Sequence, residues 1–246
     1  RQIDGYDEKY RETWDGKIMG LSAYGSDLEF KDHHRQYQMS KDLYYDNVPY
    51  VTFTQDFQNS FRFTNADEKA YIIQKNFELA LLDYATDLKN EGYLEENVCL
   101  SGGSFLNVLG NSVLKESGLF NDIHVPPCPN DVGLHFGAAC FGQFKKNEPI
   151  ELPENIALLG KEYTEEEIES VLKETEVNYE KYDDFEELCE FAATKLSGES
   201  IIAWFQGRSE FGPRALGSRS LLMHPGPAEN KDIINSRVKH REYWRP

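Results

Sequence analysis

Apolar positions recur at three- and four-residue steps from Asn65 to about Asn90, which predicts one long amphipathic helix. The apolar members of this pattern are Ala70, Ile73, Phe77, Ala80 or Leu81, Tyr84 and Leu88. Asn65 is a suitable N-cap, two acidic residues follow it in the first turn, and Gly92 lies just past the end. We expect this helix to have a structural role.

The next apolar run, residues 97–100, predicts a strand, and a helix is predicted from about Phe105 to Glu116. The segment between them contains the glycine pair Gly102-Gly103. A strand, a glycine pair and a helix start together present backbone N–H groups to a phosphate. Asn107 is predicted to lie in the first turn of that helix. On residue type alone, a plain tight turn is the more common explanation.

A second strand is predicted at residues 123–125, and a helix rich in Gly and Ala follows from about Leu134 to Phe144. Its small residues predict close packing against a neighbouring element. Asp131 stands at the mouth of this helix, where the default role is an N-cap. His135, inside an apolar helix, is interpreted as a core histidine.

Two later helices are predicted from capping boxes, which are Thr164 with Glu167 and Asp184 with Glu187. Residues 145–163 precede them and are interpreted as a connector. The composition changes near residues 151–161, which predicts two domains, 1–150 and 151–246. The adjacent pair His33-His34 could suggest a metal site, but neighbouring side chains diverge, so a solvated pair is favoured.

A short apolar run at residues 201–205 predicts a buried strand. The segment after it combines three glycines with three arginines, which are Gly207, Gly212 and Gly217 with Arg208, Arg214 and Arg219. Arginine side chains grip phosphate or carboxylate oxygens bidentately, and glycines allow positive φ and a close approach of the backbone. The pattern favours an anion site. The alternative is a turn with clustered surface arginines.

The charge distribution supports a small anionic ligand. The 246-residue chain has a formal net charge of −17. Residues 201–246 hold eight Lys and Arg against four Asp and Glu, whereas residues 1–200 hold 18 against 39. So acidic a chain is a poor candidate for binding nucleic acid.

No apolar run approaches the ~20 residues of a membrane span, and four cysteines without CxxC spacing favour reduced thiols in a cytoplasmic protein.

Residues 207–220 closely resemble the signature of the O-carbamoyltransferases of nodulation-factor and antibiotic-tailoring pathways. Three more segments resemble motifs of this family in the same order, which are residues 17–25, 100–107 and 235–246. The departures are Ser22 for Ala, Trp244 for Phe, and Asn130 for the Gly that precedes the aspartate of a Gly-Asp-x-Gly motif.

The resemblance implies an α/β chain that contains the second half of an actin/hexokinase-like ATPase domain, followed by the start of a YrdC-like domain. The family makes carbamoyl-adenylate from carbamoyl phosphate and ATP. It then transfers the carbamoyl group to a hydroxyl of a sugar or natural-product acceptor. The resemblance is compatible with a homodimer. The family's His-rich upstream motif does not stand before Lys17, so we expect a piece of a longer protein that does not turn over alone.

Carried over to this chain, the resemblance assigns roles to individual residues. The residues implied to hold phosphoryl oxygens of carbamoyl phosphate or ATP are Arg208, Arg214 and Arg219. Those implied to contact the substrate further are Gly212, Lys239, Arg241 and Glu210, the last as a brace for an arginine. Those implied to hold the nucleotide are Gly102, Gly103 and Asn107. Asp131 is implied to bind a divalent metal, iron or magnesium, whose other ligands we expect outside this chain.

Other interpretations stay open. Lys239 and Arg241 could belong to a solvated basic helix. A sugar-kinase-like phosphotransferase on the same scaffold needs no carbamoyl-adenylate domain, and residues 204–220 argue against it. A nucleotide-binding or interaction module without catalysis is the third reading of the chain.

Overall fold

The structure, a computed structural model, describes residues 14–25, 37–40, 50–53 and 65–245. It is a mixed α/β protein, as predicted, and the sheets of the described residues are small. The actin/hexokinase-like and YrdC-like assignments stay predictions. The chain divides into two compact units, the first reaching to Asn130 and including Trp244, the second running from Asp131 to Tyr243. The domain boundary predicted at residue 150 falls within the second unit and stays a prediction. His33 and His34 lie outside the described residues.

The first unit contains helices and paired strands. Its described α-helices are α1 (Trp14–Leu21), α2 (Ala66–Asn90) and α3 (Val108–Glu116), with single 3-10 turns at Ser22–Tyr24 and Gly103–Leu106. Its antiparallel pair is β1 (Tyr37–Ser40) with β2 (Tyr50–Phe53), and its parallel pair is β3 (Asn97–Cys99) with β4 (Asp122–His124). The parallel pair is connected through α3, so the glycine pair lies directly after the first of its strands.

Helix α2 confirms the long predicted helix. The Asn65 side chain accepts a hydrogen bond from Glu68 N at 2.8 Å, as expected of an N-cap. The helix is buried beyond the predicted apolar stripe, since Ile72 is 1% exposed. Polar side chains are buried as well, among them those of Gln74 and Asn76. Helix α2 is therefore the central element of the first unit.

Two apolar clusters form the core of this unit. The larger consists of buried Ala85, Leu114 and Phe120, with half-buried apolar side chains of α2, β3 and β4 packed around them. The smaller brings Trp244 against Leu21 and Ala70. The larger cluster lies beneath the strand and helix that flank the glycine pair, so it gives that turn a packed base.

The second unit contains four described α-helices and one antiparallel pair. The helices are α4 (Leu134–Lys145), α5 (Glu165–Glu174), α6 (Phe185–Ser197) and α7 (Glu229–Ile233), and a π-helix follows at Ile234–Lys239. The strands are β5 (Ile202–Phe205) and β6 (Arg219–Leu222). Both predicted helices of residues 164–198 are confirmed, and so is the strand after them. The prediction that this strand is buried is wrong, because none of its residues is buried and Phe205 is 55% exposed. Among the described residues the strand pairs with β6 alone, so the sheet is too small to cover it.

The two predicted capping boxes differ in the structure. Thr164 and Glu167 form the complete box, each side chain accepting from the backbone N–H of the other residue. Asp184 instead caps α6 through Glu186 N at 2.9 Å. The N-cap at Asp184 is therefore confirmed. The predicted capping box with Glu187 is not formed, because the Asp184 side chain accepts from the residue two positions on instead of three.

Helix α4 departs from its prediction of close packing. None of its side chains is buried among the described residues, and Leu134 and Phe144 are 67% and 62% exposed. His135 is exposed too, with its Nδ1 2.9 Å from the Val132 carbonyl oxygen, so the core-histidine interpretation is wrong. A periodic apolar pattern identifies a helix without showing what covers it. No helix of the described residues is long and apolar enough to cross a membrane.

Candidate functional site

The arginine-rich segment connects two paired strands. In the β5–β6 pair, Phe205 lies opposite Arg219. Residues 206–218 join the strands and are called the arginine loop below. Gln206 N donates to the Ser218 carbonyl at 3.1 Å, which closes the base of the loop. The loop is therefore the connection of a hairpin, with both of its ends fixed by backbone pairing.

The three glycines of the loop adopt conformations that other residues avoid. Gly207, Gly212 and Gly217 have φ values of +52°, +127° and +111°. Residues with a Cβ rarely adopt such values, so these bends depend on glycine. Gly212, a predicted substrate contact, is half-buried at the turn between Phe211 and Pro213.

The Glu210 carboxylate accepts hydrogen bonds from the backbone on the opposite side of the arginine loop. Its Oε1 accepts from Ser218 N at 2.9 Å and also from Leu216 N. Hydrogen bonds from Ser218, and then from Leu216 and Arg219, lower the pKa of Glu210 because they favour its charged form. Its main partners are backbone amides rather than a guanidinium. Glu210 therefore braces the loop itself, and its interaction with the Arg219 charge is a minor contribution.

The Arg219 side chain folds back across the loop. It donates to four acceptors, which are the carbonyl oxygens of Gln206, Gly207 and Ser218 and the hydroxyl of Ser209. These distances run from 2.8 to 3.2 Å. The guanidinium carbon also lies 3.4 Å from the Phe205 ring centroid, a cation–π contact. Most donors of Arg219 are therefore committed to the protein.

Arg208 and Arg214 have the opposite environment. Both are exposed, and neither makes a hydrogen bond or ion pair with any described residue. Their guanidinium groups are thus free to meet a ligand. Of the tail cations, Lys239 is exposed at the end of the π-helix, and Arg241 Nε donates to Asn235 Oδ1 at 2.6 Å. Hence Arg219 and Arg241 are both engaged in contacts within the protein.

The glycine pair in the first unit forms a sharp turn. Gly102 has a φ of +120°, and its N–H donates to the Pro129 carbonyl at 2.7 Å. A 3-10 turn, Gly103–Leu106, stands where the first turn of an α-helix was predicted. Ser101 through Ser104 are exposed. The predicted strand–turn–helix order is therefore confirmed, with α3 starting later than predicted.

Asn107 does not lie in the first turn of α3, as predicted, but is its N-cap. Its Oδ1 accepts from Gly110 N at 3.0 Å, and its amide also pairs with that of Gln74. Gln74 is 3% exposed. The sequence pattern did not identify Gln74, because its only signal is a polar residue inside a helix. The partner lies 33 positions away.

Asp131 lies in a 3-10 turn, Asp131–Gly133, ahead of α4. The N-cap of α4 is Gly133, so the default assignment of Asp131 as the cap is wrong. Its side chain is exposed and makes no hydrogen bond with a described residue. Among the residues that the structure describes, no three His, Cys, Asp or Glu side chains are grouped to hold a metal ion.

The comparison with protein families decides the assignment. The model of the carbamoyltransferase N-terminus matches residues 3–140, more than half of the chain. The chain belongs to the carbamoyltransferase family. The model of the carbamoyltransferase C-terminus matches residues 193–246, which include the arginine loop and the basic tail. The resemblance seen in the sequence motifs is thereby confirmed.

Similar proteins agree with this assignment. Nodulation protein NolO of Bradyrhizobium diazoefficiens is 42% identical over 154 residues, 61% of this chain and 27% of that protein. Nodulation protein U of Azorhizobium caulinodans is 38% identical over 154 residues, 62% of this chain and 25% of the relative. An uncharacterised protein of Methanocaldococcus jannaschii is 29% identical over 250 residues, 94% of this chain and 40% of the relative. The chain thus spans only a minor part of each of these proteins.

Proposed function

We propose that this chain is part of a carbamoyltransferase that makes carbamoyl-adenylate from carbamoyl phosphate, water and ATP, with release of phosphate and pyrophosphate. The carbamoyl group then passes to a hydroxyl of a sugar or natural-product acceptor, and AMP leaves. Family membership supports carbamoyl transfer in general. The donor, the nucleotide and the acceptor class follow from the motif resemblance and are part of the proposal.

The observation that carries the proposal is that the three arginines of the arginine-rich segment have different environments. Arg208 and Arg214 are exposed and unpaired within the described residues, while Glu210 and Arg219 hold the loop backbone in place. Guanidinium groups on a fixed frame stabilise charge that develops on transferring phosphoryl oxygens. We assign the phosphoryl contacts to Arg208 and Arg214, and the positioning of the loop to Arg219.

The nucleotide is proposed to bind at the Gly102-Gly103 turn. The Gly102 N–H is already occupied by the Pro129 carbonyl, so an anion would meet the amides of Gly103 and Ser104. A Cβ at Gly102 would meet nothing within 4 Å, which leaves space above the turn. Asn107, which the resemblance assigns to the nucleotide, also caps α3 and pairs with Gln74, so its side chain is held in place beside this turn.

A divalent metal, iron or magnesium, is proposed at Asp131. Its exposed carboxylate has no partner among the described residues and fits one oxygen ligand of a hard cation. The described residues group no three metal-ligating side chains, so the remaining ligands would come from outside this chain. Such a metal would supply Lewis-acid polarisation when bound.

A second candidate function is nucleotide binding by this chain without turnover. It is favoured by the finding that the described residues group no three metal-ligating side chains at Asp131. Titration calorimetry of the chain with ATP, in the absence and presence of magnesium, separates the two. Binding of ATP that is unaffected by metal supports a module that binds without catalysis.

The deciding experiment is ATP–pyrophosphate exchange in a protein that carries this chain together with the parts of its relatives that it does not span. Exchange should require carbamoyl phosphate. Arg214→Ala should raise the activation free energy of adenylate formation by about 2–4 kcal/mol, the cost of losing one preorganised donor. The circular dichroism spectrum of the variant should match that of the wild type.

A matched control is Arg237→Ala, since Arg237 is exposed on the π-helix outside the loop. This variant should exchange at the wild-type rate. Exchange near the wild-type rate in Arg214→Ala would exclude a phosphoryl contact at this position. Exchange that does not depend on carbamoyl phosphate would exclude the proposed donor.

A further inference from the structure

The connector, residues 145–163, is hydrogen-bonded to the arginine loop. Phe211 N donates to the Ala157 carbonyl at 2.6 Å, and Gly160 N donates to the Ser209 carbonyl at 2.9 Å. Ser209 N in turn donates to the Lys161 carbonyl at 3.1 Å. Three backbone hydrogen bonds within five residues resemble strand pairing. This part of the connector therefore belongs to the structure of the loop.

Gly160 lies so close to Ser209 that no side chain fits. A Cβ built on Gly160 would overlap the Ser209 Cβ and would lie 2.8 Å from the Ser209 carbonyl oxygen. The φ of Gly160 is outside the left-handed region. The glycine is therefore required by the close approach of the two segments rather than by its own backbone conformation.

Side chains extend the same contact toward the sheet. The Tyr163 ring lies 6.2 Å from the Phe205 ring, and Phe205 stacks in turn on the Arg219 guanidinium at 3.4 Å. At the other end, Lys161 Nζ lies 4.3 Å from the Tyr163 ring centroid. A continuous stack thus runs from Lys161 to Arg219, the residue that holds the loop carbonyls.

We propose that residues 157–163, called the strap below, are a positioning element of the anion-binding loop, with Gly160 and Phe205 as positioning residues. The strap fixes Ser209 and Phe211, the two neighbours of Glu210. Arg208 precedes this fixed stretch directly. The strap therefore sets where the loop presents the Arg208 guanidinium to a phosphorylated small molecule. The identity of this ligand rests on the proposed function, whereas the strap contacts do not.

Hydrogen exchange on the chain tests the strap without any ligand. In Gly160→Ala, the new Cβ displaces Ser209, so the amides of Ser209, Phe211 and Ser218 should exchange roughly tenfold faster or more, as expected for local opening. The exchange of α2 and α3 should not change. Equal loop protection in Gly160→Ala and the wild type would overturn the proposal.

The chain offers a matched control and a milder variant. Gly142→Ala lies on α4, where an added Cβ meets nothing within 4 Å, and it should leave the loop amides unchanged. Phe205→Leu removes the stack on Arg219 while keeping an apolar side chain at an exposed strand position. The loop amides should exchange hydrogen faster in Phe205→Leu than in the wild type. This variant keeps the proposal testable if Gly160→Ala does not fold. Unchanged exchange in Phe205→Leu would remove that residue's assigned role.

Binding of carbamoyl phosphate by calorimetry provides the second readout. Gly160→Ala should weaken binding by roughly tenfold, or about 1.4 kcal/mol, with little change in the thermal midpoint, whereas Gly142→Ala should bind normally. If loop exchange rises in Gly160→Ala but the wild type binds no carbamoyl phosphate, the strap stands and the proposed ligand fails. If the wild type binds and Gly160→Ala binds equally well, the strap has no positioning role.

Discussion

The side-chain amides of Gln74 and Asn107 form a reciprocal pair. Asn107 Nδ2 donates to Gln74 Oε1 at 2.8 Å, and Gln74 Nε2 donates to Asn107 Oδ1 at 3.1 Å. The same Asn107 oxygen accepts from Gly110 N in the first turn of α3. One amide therefore fixes both the start of α3 and its attachment to α2.

Replacement of Asn107 by alanine should destabilise the first unit. The change removes an N-cap and leaves the Gln74 side chain, which is 3% exposed, with fewer partners. A buried polar group without a partner costs about 1–3 kcal/mol, and we expect a loss of this size in the free energy of unfolding by urea. Asn121→Ala is the control, because the exposed Asn121 side chain makes no hydrogen bond with a described residue. Equal costs for the two variants would show that the amide pair is not structural.

A pair of leucines on α3 tests the position of the core. Leu114 is 1% exposed beside Ala85 and Phe120, whereas Leu109 is 41% exposed on the same helix. Leu114→Ala should lower the free energy of unfolding by about 2–5 kcal/mol through lost burial and a cavity. Leu109→Ala should cost less than about 1 kcal/mol. Denaturant titration of both variants measures the difference, and similar losses would contradict the assigned core.

Features that depend on neighbours in sequence could be predicted. The N-cap at Asn65, the length of α2 and the Thr164 capping box depend on residues within one helical turn, and the structure confirms each of them. The family could also be predicted from the sequence, because the motif after β5 is long and ungapped. These features are local, so one sequence contains the information that determines them.

Features that depend on distant partners could not be predicted. Gln74 meets Asn107 across 33 positions, and Gly160 meets Ser209 across 49. No periodicity identifies such partners, so residues 157–161 read as a connector. The sequence also did not predict that Arg219 donates its hydrogen bonds to loop carbonyls. The motif contains three similar arginines, and nothing in the sequence distinguishes the one that binds the loop. The roles of Arg208 and Arg214 stay predictions.

The Glu210 carboxylate predicts how the loop responds to acid. Backbone hydrogen bonds, led by that of Ser218, lower the pKa of Glu210 in the folded chain. A group with a lowered folded pKa contributes stability above its unfolded pKa, and this contribution is lost as the pH falls through the folded value. The amide of Ser218 should therefore lose protection from exchange in acid.

Glu210→Gln should remove this pH dependence, because a neutral amide does not titrate. The variant should show weaker protection of the Ser218 amide than the wild type at neutral pH. Glu229→Gln is the control, since Glu229 is exposed on α7 and makes no hydrogen bond with a described residue. Exchange in Glu210→Gln that keeps the acid-dependent change of the wild type would show that another group controls the loop.

Arg219 and Arg208 should respond differently to substitution, although both stand in the same motif. Arg219→Lys loses the planar fork that reaches the carbonyls of Gln206 and Gly207, since an ammonium group cannot reproduce this geometry. Hydrogen bonds from charged groups contribute about 1.5–3 kcal/mol, and half-exposure of Arg219 should reduce the loss to about 1–2 kcal/mol. The Gln206 amide, which closes the hairpin, should also exchange faster. Arg208→Lys should leave the free energy of unfolding within about 0.5 kcal/mol of the wild type and the exchange of the Gln206 amide unchanged, because Arg208 is exposed and makes no hydrogen bond or ion pair with a described residue. Equal stability of the two variants would mean that Arg219 does not hold the loop and is available to a ligand, as the motif alone suggested.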